Sequence, residues 1–387
     1  MNGIQVYVSK LSKQNRDNAV SVSLFLTLCA LVLLPRGDSA ILSVSAVGVF
    51  LLAKQRPSRG AVLWGCFAVL AAVQLLLPHW GTLVVAGLPA WYDASGQAPQ
   101  LRWSLAPWET MDWLALFLGC LFWAAANQGG RRFRRQAGYA VRGASAFVAL
   151  VVLTRFARGL PQLANANHIA IFLVATGGEA LLRIRAGTDT LALATFILVV
   201  AAVATLGAWL PGCLLFSAVV YVVLDKQVSV YRRLLSFSAA FAVCSGVGVA
   251  LGAFDVRLAL WGDVLAMFKE TLPAGTGFGS FRWVFPAYAE HLAPPALRAF
   301  HPENGYLWLL AEGGVVGLLV PIVLFFRARC KQGVAARAAR MALVMFAAQA
   351  CIDVPWLWTP NLLVIALFLE QGFEWRPVLV MPNKQDD

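Results

Sequence analysis

The sequence predicts an all-α integral membrane protein with about 12 spanning helices and both termini in the cytoplasm. Three observations predict it. The 387 residues are 60% hydrophobic and only 13% charged, with a mean hydropathy of +0.71, whereas a soluble domain carries about 25% charged residues. Apolar runs of about 20 residues, the length a helix needs to cross hydrocarbon, recur along the chain. Positive charge gathers in alternate connections between those runs, as the positive-inside rule requires.

The spans are expected near 19–35, 39–53, 61–78, 111–127, 141–157, 167–183, 189–207, 210–224, 234–253, 304–326, 339–352 and 361–373. The first follows Lys10, Lys13 and Arg16 and, with no small-residue cleavage site after it, reads as an ordinary span rather than a signal peptide. Backbone groups in lipid must be paired within the segment, which makes each run a helix. With the N-terminus inside, the cytoplasmic connections hold Lys54, Arg56 and Arg59, then Arg131, Arg132, Arg134, Arg135 and Arg142. Further on they hold Arg183 and Arg185, then Lys226, Arg232 and Arg233, then Arg327, Arg329, Lys331, Arg337 and Arg340. Most of the 31 Lys and Arg are thereby placed inside. The net charge of +12 is accounted for by these loops, and a nucleic-acid partner is not indicated. Six of the seven Cys fall in apolar runs and no CxxC occurs, so neither a zinc site nor a disulfide framework is expected.

The outer connections run over 79–109, 158–167, 207–212, 254–303 and 353–361, and the polar residues with chemical potential collect there. Trp80, Trp91, Trp103, Trp108, Trp356 and Trp358 suit an interfacial aromatic belt. Within the long outer loop, Gly275-Thr276-Gly277-Phe278-Gly279-Ser280 lacks the ending of a P-loop and has no βαβ context. It reads either as a turn needing positive φ or as backbone N–H groups meeting an anion. Arg257, Lys269, Arg282 and Arg298 run against the positive-inside trend. They pair with Asp255, Asp263, Glu270 and Glu290, or they bind a diphosphate at the membrane surface. His301-Pro302-Glu303-Asn304 opens the tenth span and is either a helix cap or a source of a general base. Asp353, before Pro355, caps or pairs. Glu179, within the sixth span, is expected to pair with Arg183 one turn on.

Taken together, these segments resemble the bacterial O-antigen ligase and O-antigen polymerase superfamily. The shared pattern is an Arg, a Trp, a Pro and G-x-G-x-G-x-F, then a His-containing segment, N-x-x-L and L-x-E-x-G. This chain supplies Arg257, Trp261, Pro273, Gly275, Gly277, Gly279 and Phe281, then His301, Asn304, Leu307, Leu310, Glu312, Gly314 and Gly317. Asn165 and Asn167 are similar to an N-x-N-x-x-A segment, and Ser104, Leu105, Pro107 and Thr110 resemble an S-L-x-P-x-x-T stretch. Asp353 stands where members carry an Asp near the eleventh span. Two positions depart from the pattern: Glu303 replaces a His before the Asn, and Leu206 replaces an Arg at the top of the seventh span.

The resemblance implies a single polytopic domain over 1–387 in the bacterial inner membrane, with residues 254–303 a periplasmic loop whose short helices carry the motifs. It implies a metal-independent, cofactor-free glycosyltransferase of the GT-C type. The donor would be a glycan on undecaprenyl diphosphate. The acceptor would be the lipid A core for a ligase, or another lipid-linked repeat unit for an O-antigen or exopolysaccharide polymerase. Catalysis falls to His301, Glu303 and Asn304 and diphosphate binding to Arg257 and Arg282. Gly275, Gly277, Gly279, Asn165, Asn167 and Asp353 are supporting. A transporter or flippase of lipid-linked glycans is the alternative from another class. It should show repeated halves and charges along a membrane path, and the sequence shows neither.

Overall fold

A computed structural model describes residues 22–31, 61–76, 106–126, 131–158, 165–187, 190–224, 255–290 and 299–375, with isolated positions at 19 and between 239 and 246. The expected second span, all but isolated positions of the ninth, and most of the outer connection 79–109 lie outside these ranges, as does Arg298. In chain order the described helices are α1 (Val22–Leu31), α2 (Ala61–Leu76), α3 (Pro107–Ala126), α4 (Arg131–Ala157), α5 (Ala166–Ala186), α6 (Thr190–Leu206) and α7 (Trp209–Leu224). They continue with α8 (Asp255–Thr271), α9 (Phe281–Val284), α10 (Gly305–Arg327), α11 (Val334–Gln349) and α12 (Thr359–Gly372). One short antiparallel pair, β1 (Ala328–Cys330) with β2 (Phe373–Trp375), accompanies the helices of this all-α chain.

Helices stand at each expected span that is described over its length. Among the described residues, Gln136–Ala157 and Gly305–Phe326 are long and apolar enough to cross a membrane, and the other apolar helices are shorter. α5 lies at the centre, against α4, α6, α7 and α11. Its glycines set that packing. A Cβ at Gly177 would lie 2.8 Å from Val199 of α6, and one at Gly178 would lie 2.8 Å from Met341 of α11. Small residues let helices approach where lipid offers no hydrophobic drive for association.

Charge placement differs from expectation in one respect. The charge pattern places Arg142 with a cytoplasmic connection, whereas it lies within α4 and is fully buried. Its Nη1 donates to both oxygens of Glu179, at 3.0 and 3.1 Å. Arg183 also pairs with Glu179, as its one-turn spacing predicts. Glu179 therefore joins two guanidinium groups, and the ion cluster ties α4 to α5 at a depth where an unpaired charge is costly.

The tenth expected span is the element that positions the site. α10 is interrupted at Gly314, whose φ of 66° and ψ of −164° are not helical. In a membrane such a break persists only where other groups take up the freed backbone. Residues 273–281 do so. Thr276 N donates to Ala311 O (2.9 Å), Gly277 N to Glu312 O (3.0 Å), and Val315 N to Pro273 O (3.0 Å).

Candidate active site

Two groups of motif residues meet at the broken helix. The first is the glycine loop, where Gly275, Gly277 and Gly279 all have positive φ. A Cβ on Gly275 would lie 2.5 Å from Gly314 N, and one on Gly314 would lie 2.3 Å from Pro273 O. The two backbones pack without room for a side chain. The loop's amides do meet an acceptor group, and it is a carboxyl side chain of the protein itself. Gly279 N donates to Glu312 Oε2 at 2.7 Å and Phe281 N to Glu312 Oε1 at 2.8 Å. Gln74 of α2 closes the arrangement, donating to Glu312 O (2.9 Å) and accepting from Phe278 N (3.2 Å). Thr110 Oγ1 of α3 donates to Phe278 O. The G-x-G-x-G-x-F and L-x-E-x-G segments are thus one interlocked unit. Arg282, just past the loop, pairs with Glu109 of α3 and stacks on Trp283 with 4.8 Å from Cζ to the ring centroid.

The second group surrounds the start of α10. Asn304 is the N-cap: its Oδ1 accepts from Tyr306 N and Leu307 N, both at 3.0 Å, and its Nδ2 donates to Cys351 O at 2.9 Å. Gly305 N donates to Ala350 O at 2.7 Å, which seats the helix start on the end of α11. Trp261 Nε1 of α8 donates to Pro302 O at 2.9 Å. Between these anchors Glu303 adopts φ 51°, a left-handed conformation rare for a non-glycine residue. Strain of this kind persists only where the surroundings over-determine it, and such positions cluster at functional sites.

That backbone aims the side chains at one another. Arg257 Nη2 donates to Glu303 Oε2 at 3.2 Å. His301 Nδ1 lies 3.8 Å from Glu303 Oε1. The His301 and His168 ring centroids are 6.0 Å apart, and His168 Nε2 lies 3.1 Å from Asp353 Oδ1. Asp353 is held by its own turn, with Val354 N donating to Oδ1 (2.7 Å) and Gln349 Nε2 to Oδ2 (3.4 Å). Asn361 binds the two segments together, its Nδ2 donating to both His168 O (3.0 Å) and Pro355 O (2.8 Å).

Burial pushes the His301 imidazole below the ordinary histidine value, reinforced by His168 and Arg257 and opposed by Glu303 and Asp353. At neutral pH it is therefore unprotonated and able to accept a proton. Burial by itself would raise Asp353, but its contacts with His168, Val354 N and His301 hold it below the usual carboxylate range. An ionised carboxylate only accepts hydrogen bonds, so the His168 nitrogen facing it carries hydrogen. One nitrogen each from His168 and His301 and one oxygen from Asp353 lie within 4.8 Å of one another. The 3.1 Å contact between His168 and Asp353 is a hydrogen-bond distance. Both Asp353 oxygens are also engaged by the protein. In the structure these three side chains form a hydrogen-bonded array.

The structure thus brings Arg257, His301, Glu303, Asn304 and Asp353 together. Gly275, Gly277, Gly279 and Arg282 lie in the interlocked loop region. Asn165 caps α5, accepting from Asn167 N at 2.9 Å, and Asn167 precedes the buried His168. His168 is the residue that the sequence reading passed over. Its signal was its position directly after Asn167 in a chain with four His. Beside the site, among the described residues, lies a mostly apolar cavity of about 800 Å³. Trp308 and Trp356 line it near the site, and Arg337 and Arg340 line it at the far end of α11.

Among curated proteins none matches the chain. Residues 169–322 match the family model described as O-antigen ligase. The match opens one residue after His168, runs through the glycine loop and closes within α10, so it takes in Arg257, His301, Glu303, Asn304 and Glu312. Over this segment the chain is similar to the O-antigen ligase family, a family of membrane proteins.

Proposed function

We propose that the protein is a membrane glycosyltransferase that moves a glycan from undecaprenyl diphosphate to a sugar hydroxyl, with the lipid A core as acceptor. The observation that carries this reading is the convergence of Arg257, Glu303 and His301 at the start of α10. The acceptor oxygen attacks the anomeric carbon of the donor. Its proton passes to His301, and the bond from the anomeric carbon to the diphosphate oxygen breaks, with its electron pair leaving on undecaprenyl diphosphate. Arg257 neutralises the charge that grows on that leaving group, the task for which fixed cations are most effective. Glu303 lies between the two and holds Arg257 in place. His301 takes the role of base rather than Glu303, because the Glu303 carboxylate is committed to Arg257. The site faces the periplasm, and the apolar cavity beside it receives part of the isoprenoid tail.

Purified protein in proteoliposomes, given undecaprenyl-diphosphate-linked glycan and acceptor, tests the chemistry. Arg257→Ala and His301→Ala should each lose roughly 100-fold in transfer rate, and Glu303→Gln should lose less. Full transfer by the first two variants at normal expression would overturn the assignment. A deletion strain tests the acceptor. Accumulated long lipid-linked chains support a ligase, and single-repeat surface glycan instead identifies a polymerase.

A further inference from the structure

The transfer reaction needs one base, yet the site holds a second histidine that touches neither Arg257 nor Glu303 in the contacts described above. His168 is buried at the first turn of α5, with its ring beside that of His301. Its Nε2–H is committed to Asp353, and its backbone carbonyl is committed to Asn361. Asn361 itself is fully buried. A histidine held at both ends, inside an apolar bundle and against the candidate base, is placed more tightly than packing alone requires.

We propose that His168, fixed by Asp353, is a positioning residue that sets the orientation and protonation of His301. This rests on the reading of His301 as the base. Four groups face His301: Glu303 from its own segment, Arg257 from α8, Asp353 from the turn after α11, and His168 from α5. Glu303 and Asp353 favour a proton on His301, and His168 and Arg257 oppose it. The two acids are each paired with a basic partner, Glu303 with Arg257 and Asp353 with His168. Replacing His168 by a side chain that cannot carry charge deletes an opposing group while Asp353 stays in place, and His301 becomes easier to protonate.

The test is His168→Gln, whose side-chain amide keeps a donor for Asp353 and cannot titrate. Two readouts are used. In the full chain, with its four His, the His301 ring is followed by NMR through a pH titration, with His301→Ala identifying its signal. His168→Gln should move that titration to higher pH. In the transfer assay, the acid limb of kcat should move with it, giving about a 10-fold loss at pH 6 and near wild-type rates at pH 8. An unchanged His301 titration overturns the proposal. So does a loss that is uniform across pH with lowered thermal stability, which marks a purely structural role. Stimulation of the wild type by Zn²⁺ and its abolition by chelator would also overturn it, in favour of a metal site. If the wild type shows no transfer, the glycosyltransferase reading fails, while the NMR titration still decides whether His168 governs His301.

Discussion

Glu312→Gln should release the glycine loop from α10. Glu312 is 1% exposed, and its two oxygens each accept from a loop amide, Gly279 N at 2.7 Å and Phe281 N at 2.8 Å. A glutamine amide presents one acceptor and one NH₂ group. Whichever way it turns, one loop N–H loses its acceptor and faces another donor. The lost hydrogen bond costs about 1 kcal/mol and the buried unsatisfied donors a further ~1–3 kcal/mol. A local cost of about 2–4 kcal/mol raises the opening constant of the loop by about 30- to 700-fold.

Hydrogen exchange, read by mass spectrometry on a fragment covering 273–284, measures that opening directly. The control is Glu109→Gln, which breaks the half-exposed pair with Arg282 and should change exchange little, since exposed ion pairs contribute at most about 1 kcal/mol. Wild-type protection of the loop in Glu312→Gln, at normal folded yield, would show that the carboxylate does not hold the loop.

Gly314→Ala should lower the thermal midpoint by more than any single surface change, because its Cβ would meet Pro273 O at 2.3 Å and its φ is 66°; an unchanged midpoint would mean that α10 has a way to straighten. Glu179→Gln strips the shared carboxylate from Arg142 and Arg183 and should cost about 3–5 kcal/mol, seen as earlier thermal aggregation in detergent. Melting like the wild type would contradict a structural role for that cluster. Transfer should keep more than half of its pH 8 rate down to pH 6.5 and fall further below it. A base works unprotonated, and burial keeps His301 below the ordinary value of 6.5. A rate already halved at pH 7.5 would rule out His301 as the base.

The membrane character and the places of the helices were legible because they depend on composition and periodicity, which are local. The clustering of His301, Glu303 and Arg257 was legible only as a resemblance, since no local rule joins positions 46 residues apart. Arg142 shows a limit of charge counting. The positive-inside rule treats every Arg as a loop marker, and it cannot see a carboxylate waiting 37 residues later at the same depth. His168 shows another. Its partner Asp353 lies 185 residues away, and a histidine at the head of an apolar run looks the same whether it is packed or poised. The break at Gly314 was hidden for the opposite reason. Hydropathy runs unbroken through Gly305–Phe326, so the pattern reads as one helix while the backbone makes two.

The break gives α10 a short first half, Gly305 to Gly313, roughly 13 Å long. One end carries the site and is tethered through Asn304 and Gly305 to the end of α11. The other end is clamped by the loop through Glu312. α8, which bears Arg257, leads straight into that loop and shares a small core with α9 and the half-helix: Leu260, Val264, Met267, Phe281, Phe285 and Ala311. The Arg257–Glu303 distance is therefore set from both ends of the half-helix. Asn304→Ala, a lost cap, should cost about 1–2 kcal/mol. Distant sites ordinarily add within about 0.5 kcal/mol. If the half-helix moves as a rigid unit, Asn304→Ala and Glu312→Gln will depart from additivity by more than that in transfer rate, because either release already frees Glu303 from Arg257. Strict additivity in a double-mutant cycle would mean that the loop and the cap each hold the site independently, and that the half-helix does not couple them as a rigid unit.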